Sequence, residues 1–318
     1  VAKLKLFAQG KYDGIMLIVY KRGNKVQILT DDGQDVTVRL PSCVEELVHL
    51  PGTPGECILL SECEMWREGK HQPREVTSGS LFEIGTPEDK WIVLNVFDCI
   101  WFGKDIHKLP LSERLAYLDK IKFKQHRVAD LDPELSHFNK CVTKVAETKV
   151  ALDQAIQDFF SVPQLEGAMI KLDTPYELTG RTRNVFKLKK YIQILVMVWR
   201  RVRTKTHGVY NYDFGVRFDT DDGVQSNTIK TIAGRKITAS GRTFNTKLFA
   251  KPGDILVIRF HTANLYKEKK GNRLRLYETA VDEILEEAKL PNSFKEVIEV
   301  AKRAHLLAVK GKEEEGSE

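Results

Sequence analysis

The stretch Gln9-Gly10-Lys11-Tyr12-Asp13-Gly14, running into the β-rich segment 15–20, decides how the chain is read. It sets a lysine amine between a short strand and a glycine, with a carboxylate two residues further on. Residues two apart share a side of an extended chain, so Gln9, Lys11 and Asp13 are expected to face one space. Free lysine is protonated at neutral pH, and attack on phosphorus requires neighbouring positive charge or a metal to release its proton. Taken alone, a tetrapeptide of this kind is most often a turn leaving a strand.

Working outward, 15–20 and 25–30 form a hairpin around Arg22-Gly23-Asn24, and 45–50 reads as a short helix. Strands are expected at 57–66 and 91–97, with a polar, turn-rich stretch between them at 67–90. A helix opens at Pro110 and runs to about 121, capped by Ser112, with Leu111, Leu115 and Leu118 on one face. A second amphipathic helix covers 146–160. After Tyr191 the character changes to short strands at 193–202, 213–219, 236–238, 254–262 and 273–279, divided by Gly-rich turns, which suits a small barrel. A terminal helix at 293–309 and a charged tail follow. The expected fold class is α+β: antiparallel sheets with flanking helices over 1–192, a β-barrel over 193–288, and a C-terminal helix and tail over 289–318.

Further residues suit phosphate chemistry. Lys187 and Lys189 alternate along one strand face, while Glu64 and Glu166 sit in apolar surroundings where an unpaired carboxylate is costly and a divalent cation would neutralise it. The balance of 50 Lys+Arg against 44 Asp+Glu permits a polyanionic partner without demanding one. Arg200, Arg201, Arg203 and Lys205, clustered at the domain junction, are the candidates for contacting it. Five cysteines, an odd number with no CxxC pair and no clustered histidines, argue against a disulfide framework or zinc site and fit a reducing cytoplasm. The apolar run 192–199 is cut off by Arg200 and Arg201, so no membrane span is expected, and no targeting leader is visible at Val1.

Several landmarks follow Lys11-Tyr12-Asp13-Gly14 in order. They are Gly33-Gln34-Asp35-Val36-Thr37 with Leu40-Pro41, then Ser61-Glu62-Cys63-Glu64, then Asn95-Val96-Phe97 with Leu109-Pro110-Leu111-Ser112-Glu113-Arg114. Leu165-Glu166-Gly167-Ala168-Met169-Ile170-Lys171 comes next, and the series closes with Tyr176 through Gly180-Arg181 into Phe186-Lys187-Leu188-Lys189. Covering about 5–192, the series resembles the covalent lysine nucleotidyltransferase superfamily, most closely the ATP-dependent DNA ligases.

That resemblance implies an adenylation domain followed by an OB-fold barrel, with ATP and Mg2+ (or Mn2+) as cofactors. It implies that Lys11 becomes adenylated, assisted by Asp13, Lys187 and Lys189, and that Gln9, Glu64, Phe97 and Glu166 complete the ATP site, with Phe97 stacking on adenine. Glu166 and Glu64 would hold the metal. The substrate would be nicked or broken duplex DNA, sealed between a 5′-phosphate and a 3′-hydroxyl during repair or replication. The expected state is a monomer, open to a repair partner protein, in the cytoplasm (at the nucleoid in a prokaryote, in the nucleus of a eukaryote). There are departures from the family pattern: Met16 and the Thr30-Asp31-Asp32 turn stand where the family carries arginines, Glu62-Cys63 replaces Asp-Gly before Glu64, and 276–283 has no basic residue. Arg273, Arg275 or the lysines between 267 and 270 would be the substitutes for the last. The alternatives are an RNA ligase, a capping-type guanylyltransferase, or a catalytically weakened ligase-like protein that binds nucleic acid.

Overall fold

The computed structural model describes residues 5–82, 89–123, 136–179, 182–285, 290–304 and 306–310. The chain divides into two compact units, 1–189 and 190–318. The first contains β1 (Leu6–Lys11), β2 (Ile15–Arg22), β3 (Lys25–Thr30), α1 (Pro41–His49), β4 (Glu56–Arg67), β5 (Lys70–His71) and α2 (Arg74–Phe82). It continues through β6 (Ile92–Phe102), α3 (Leu111–Leu118), β7 (Phe138–Lys140), β8 (Thr143–Ala146), α4 (Lys149–Ser161), β9 (Gly167–Leu172) and β10 (Val185–Lys189). The second contains β11 (Ile192–Arg203), β12 (Tyr210–Arg217), β13 (Ile229–Ile232), β14 (Arg235–Thr243), β15 (Ile255–Phe260), β16 (Thr262–Glu268), β17 (Gly271–Leu285), α5 (Phe294–Arg303) and β18 (Leu307–Lys310).

Two sheets build the first unit, one in the order β10-β9-β1-β8 and the other β3-β2-β4-β6-β7 with β5 on β4. β1 belongs to the small sheet and β2 to the large one, so Tyr12-Asp13-Gly14 is the link that crosses between them. Gly14 is required at that crossing: a Cβ there would lie 2.2 Å from the Cys63 carbonyl oxygen of β4. The large sheet packs its apolar face, including Leu17, Val19, Leu59 and Leu94, against Leu47 of α1 and Leu111, Leu115 and Leu118 of α3. The small sheet is covered by α4, through Ala155 and Phe159 against Ala8, Ala168 and Ile170. Burial alternates along these strands, as in β2, where it switches at every residue from Ile15 to Lys21 although the run Ile15 to Tyr20 is apolar or aromatic throughout.

Five strands of the second unit, in the order β14-β12-β11-β15-β17, close into a ring through the parallel pairing of β14 with β17. β17 serves three neighbours because its 15 residues pair with β16 over the first half and β15 over the second, and meet β14 at Leu276 and Thr279. Helix α5 sets Phe294, Val297 and Ala301 into the barrel core and is capped reciprocally by Ser293 and Glu296.

The structure corrects several expectations. The polar stretch 67–90 contains β5 and α2, a helix that buries only Thr77 and Leu81 and so shows little apolar periodicity. Ser112 does not cap α3; Asp173, 61 residues away, accepts the Ser112 N–H at 2.7 Å and its hydroxyl at 2.9 Å. Helix α4 starts at Lys149 with Thr148 as its cap, and Ala146 belongs to β8. The terminal helix stops at Arg303, and Leu307–Lys310 forms an edge strand parallel to β16. The sheets are not wholly antiparallel, since β6 pairs with β7 in parallel. Gly180-Arg181 and the charged tail from 311 lie outside the described residues.

Candidate active site and nucleic-acid interface

The register of the small sheet assembles the site. Gln9 of β1 stands opposite Met169 of β9, which stands opposite Lys187 of β10; one step along, Lys11, Gly167 and Lys189 form a second row. Because strand side chains alternate, Gln9, Lys11, Met169, Lys171 and Lys187 share one face, and all five line a cavity of about 300 Å³. Phe97 of β6, Glu62 of β4, Arg74 of α2, Met16 and Asp31 also line it. A neighbouring cavity of about 580 Å³ shares Met16, Phe97, Met169, Lys171 and Lys187 with the first.

Glu166 links the lysines. Its carboxylate pairs with both Lys11 and Lys189, and its backbone N–H donates to the Lys11 carbonyl at 2.8 Å. Burial pushes the Glu166 carboxyl up, but the hydrogen bonds and charges of the two ammonium groups outweigh it and hold the group below the ordinary glutamate value. Gly167, the next residue, has no room for a side chain: a Cβ would lie 1.8 Å from the Leu188 carbonyl oxygen. The close approach of β10 to β9 therefore depends on that glycine, and it brings Lys189 within reach of Glu166.

Gln9 is buried, and its amide donates to the Phe97 carbonyl at 3.2 Å and to the Thr143 hydroxyl at 2.9 Å. Its Oε1 is buried without a partner. Phe97 is half-buried, with the Lys171 ammonium 4.5 Å from its ring centroid. Lys171 is itself buried, and this desolvation lowers its pKa although the charge of Asp98 opposes the shift.

Two placements differ from the sequence reading. Asp13 lies beyond the end of β1, in a bend, and burial raises its carboxyl pKa, with the negative charge of Glu166 adding to the effect. Glu64 is not among the cavity-lining residues: its carboxylate accepts from Asn95 at 2.9 Å and meets His71 at 3.2 Å, inside the protein. Glu62, two residues earlier on the same strand face, lines the cavity instead, and burial pushes its carboxyl up to about 7. Sequence reasoning passed over Glu62, Arg74 and Lys171. A period of two from Glu64 back to Glu62, and from Gly167 through Met169 to Lys171, carried the signal for two of them; Arg74 enters from a separate helix and had none.

Among the described residues, no group of three or more His, Cys, Asp or Glu gathers as a ready metal-ligand set. The donor chemistry nevertheless fits magnesium, which binds through one or two protein carboxylates and completes its shell with water and substrate phosphates. Glu62 and Asp13 hold carboxyl groups that burial disfavours as anions, whereas Glu166 is already neutralised by two lysines.

The basic cluster of the second unit separates into two kinds. Arg200 and Arg242 both clamp the buried Asp213, at 2.8 Å and 2.6 Å through their Nε atoms. Arg201 lies against the rings of Phe249 and Tyr210 instead, and Arg203 and Lys205 are exposed. Arg200 and Arg242 share a cavity of about 480 Å³ with Lys230, Arg273 and Arg275. All five cysteines are free and buried. No described helix is long and apolar enough to cross a membrane.

Comparison with known proteins matches residues 1–189 to the family model of the ATP dependent DNA ligase domain. A probable DNA ligase of Mycolicibacterium vanbaalenii is 30% identical over 222 residues, covering 66% of this chain and 38% of that protein. A DNA ligase of Methanococcus aeolicus is 25% identical over 202 residues, covering 59% of this chain and 33% of that protein. The chain thus spans well under half the length of these curated relatives. Among solved structures, one described as Pmar-Lig_Pre. superposes with a TM-score of 0.57 at 16% identity, covering 89% of this chain and 64% of that one. A structure from a study of Lig E DNA ligases gives 0.50 at 14% identity, covering 90% of this chain and 94% of that one.

Proposed function

The chain belongs to the ATP-dependent DNA ligase family, and from that premise we propose that it seals 5′-phosphate/3′-hydroxyl breaks in duplex DNA through a lysyl-AMP formed on Lys11. The observation that carries this reading is the Glu166 carboxylate shared between Lys11 and Lys189 at the edge of a cavity lined by further cations. In the first step the Lys11 Nζ attacks the α-phosphorus of ATP, a nitrogen–phosphorus bond forms, and the bond to the pyrophosphate oxygen breaks. In the second, a 5′-phosphate oxygen displaces Lys11 from that phosphorus. In the third, the 3′-hydroxyl attacks the 5′-phosphate and releases AMP.

Phosphoryl transfers of this kind depend on in-line positioning and charge neutralisation, which the residues of this cavity supply. Glu166 aims the Lys11 amine; the Lys11 ammonium gives its proton to water before attack, and the carboxylate stays paired with Lys189. Lys187 and Lys171 neutralise the phosphates. Gln9, which lines the cavity, reads the edge of adenine with its side-chain amide, and Phe97 and Met169 offer apolar surface to the base. Glu62 would hold magnesium together with water and the substrate phosphates, and when bound the ion supplies charge neutralisation to the triphosphate. The barrel is read as an OB-fold whose Arg200, Arg203 and Lys205 face the nucleic-acid backbone, so affinity should fall steeply with salt.

Incubation with ATP and magnesium should add one AMP to the intact mass, and Lys11→Ala should abolish the gain. Sealing of nicked duplexes with DNA or RNA strands then tests the substrate, and labelling by GTP instead of ATP would point to capping chemistry. A second reading, a weakened ligase-like binder of nucleic acid, draws on Met16 and Asp31, which line the cavity without positive charge. Retained DNA binding without AMP gain would establish it.

A further inference from the structure

The loop joining β14 to β15 displays large apolar side chains although it is firmly held. The Tyr212 hydroxyl donates to the Leu248 carbonyl and accepts from the Ala250 N–H, each at 2.8 Å. Tyr210 and Thr246 exchange backbone hydrogen bonds at 2.8 and 2.9 Å, and the Phe244 N–H donates to the Thr279 carbonyl at 2.7 Å. Yet Phe244 and Phe249 are each 57% exposed and Leu248 is 40% exposed. Hydrogen bonds of this number fix a backbone, and the rings it carries are fixed facing water.

Phe249 is part of a cluster. Its ring meets Tyr210 edge to face with centroids 5.3 Å apart, and the Arg201 guanidinium lies 4.8 Å from the Phe249 centroid and 5.6 Å from that of Tyr210. Basic residues predominate around it, with Asp213 paired to Arg200 and Arg242 and Asp254 closing the loop. Segments 199–212 and 223–253 contain no Asp or Glu but carry Arg200, Arg201, Arg203, Lys205, Lys230, Arg235, Lys236, Arg242, Lys247 and Lys251. Such a surface favours a polyanion, and exposed aromatic rings within it favour one whose bases are open.

Paired bases within a duplex have their faces buried in the stack, so a duplex backbone would use the cations and leave the rings idle. We infer that Phe249, Phe244 and Arg201 form a stacking platform for single-stranded nucleic acid on the barrel, distinct from the duplex contact assigned to the barrel's basic residues. Binding is sequence-tolerant, because every base presents a face to a ring.

The test uses the full chain and two fluorescently labelled probes, a short oligo-dT and a blunt duplex of equal length, titrated at two salt concentrations. The Phe244→Ala/Phe249→Ala double variant should weaken oligo-dT binding at least ~10-fold, since stacking contributes about 1–3 kcal/mol per base, with duplex affinity within ~2-fold of the parent. Arg201→Gln should weaken the oligo-dT and steepen its loss with salt less than the parent does. Both phenylalanines are exposed, so an unchanged melting temperature separates the effect from misfolding. Equal losses on the two probes would overturn the platform, as would a parent chain that does not bind oligo-dT, an outcome that leaves the rings to a protein partner. AMP gain on Lys11 is read separately, so failure of the platform and failure of the ligase reading are distinguishable.

Discussion

Gly167 and Leu188 stand so close that a Cβ on the glycine would overlap the leucine carbonyl oxygen, at 1.8 Å. This contact is backbone on backbone, so no rotamer change relieves it. Gly167→Ala must push β10 away from β9 and draw Lys189 from Glu166. The expected cost is about 1–3 kcal/mol in stability, as for other overpacked positions, read by thermal denaturation. AMP incorporation should fall by at least ~10-fold in protein that remains folded, because an ångström of misplacement at a reacting centre costs as much or more.

Glu166→Gln keeps the shape but removes the charge that Lys11 and Lys189 share. The rate of self-adenylation should fall by about 10²–10³-fold, with ATP binding changed far less, because the carboxylate positions the attacking amine rather than the nucleotide. Single-turnover labelling with radioactive ATP, alongside equilibrium binding of a non-hydrolysable analogue, separates the two quantities.

Burial of Glu62 links stability to pH, and the proposed magnesium site links metal use to the same titration. Its carboxyl is pushed up to about 7 by burial, against an ordinary value of 4.5. Between those values the folded protein binds a proton that the unfolded chain has released, so stability falls as pH rises through this window. Glu62→Gln should therefore be more stable than the parent at pH 8, by on the order of 3 kcal/mol, and nearly equal to it at pH 4. Urea denaturation at the two pH values provides the comparison. In the parent, the magnesium requirement for adenylation should rise as pH drops below 7, since the proton and the cation compete for one carboxylate; the variant should lose that dependence.

Arg74 is the guanidinium that α2 contributes to the Lys11 cavity, where Met16 and Asp31 provide no positive charge. Arg74→Ala should leave the fold intact and slow the transfer of AMP from pre-adenylated protein to a nicked duplex by at least ~10-fold, with Arg74→Lys in between. If transfer is unchanged while adenylation slows, the arginine serves the triphosphate instead.

Much of the site was legible in the chain because it sits on strands. An extended backbone has a period of two, and Lys11 with Gln9, and Lys187 with Lys189, could be placed on shared faces without knowing which strands pair. Glu166 beside Gly167 was equally visible. The carboxylate lining the cavity was not: Glu64 faces inward to Asn95 and His71, and Glu62, on the same strand face two residues away, lines the cavity. Helix α2 was missed because its buried face has only Thr77 and Leu81, too few for a periodic signal.

The local frame is written in the chain itself: the strands, the lysine before a glycine-bearing turn, the acidless basic segments of the barrel, and the ordered motifs that tie it to its family. Which of these residues meet is a matter of folding. Lys11 and Glu166 are 155 positions apart and are joined by the antiparallel register of β1 with β9, and Arg74 reaches the same cavity from α2. Period and propensity act over a few neighbouring residues, whereas partners so distant are chosen by the packing of whole sheets, which no local pattern encodes.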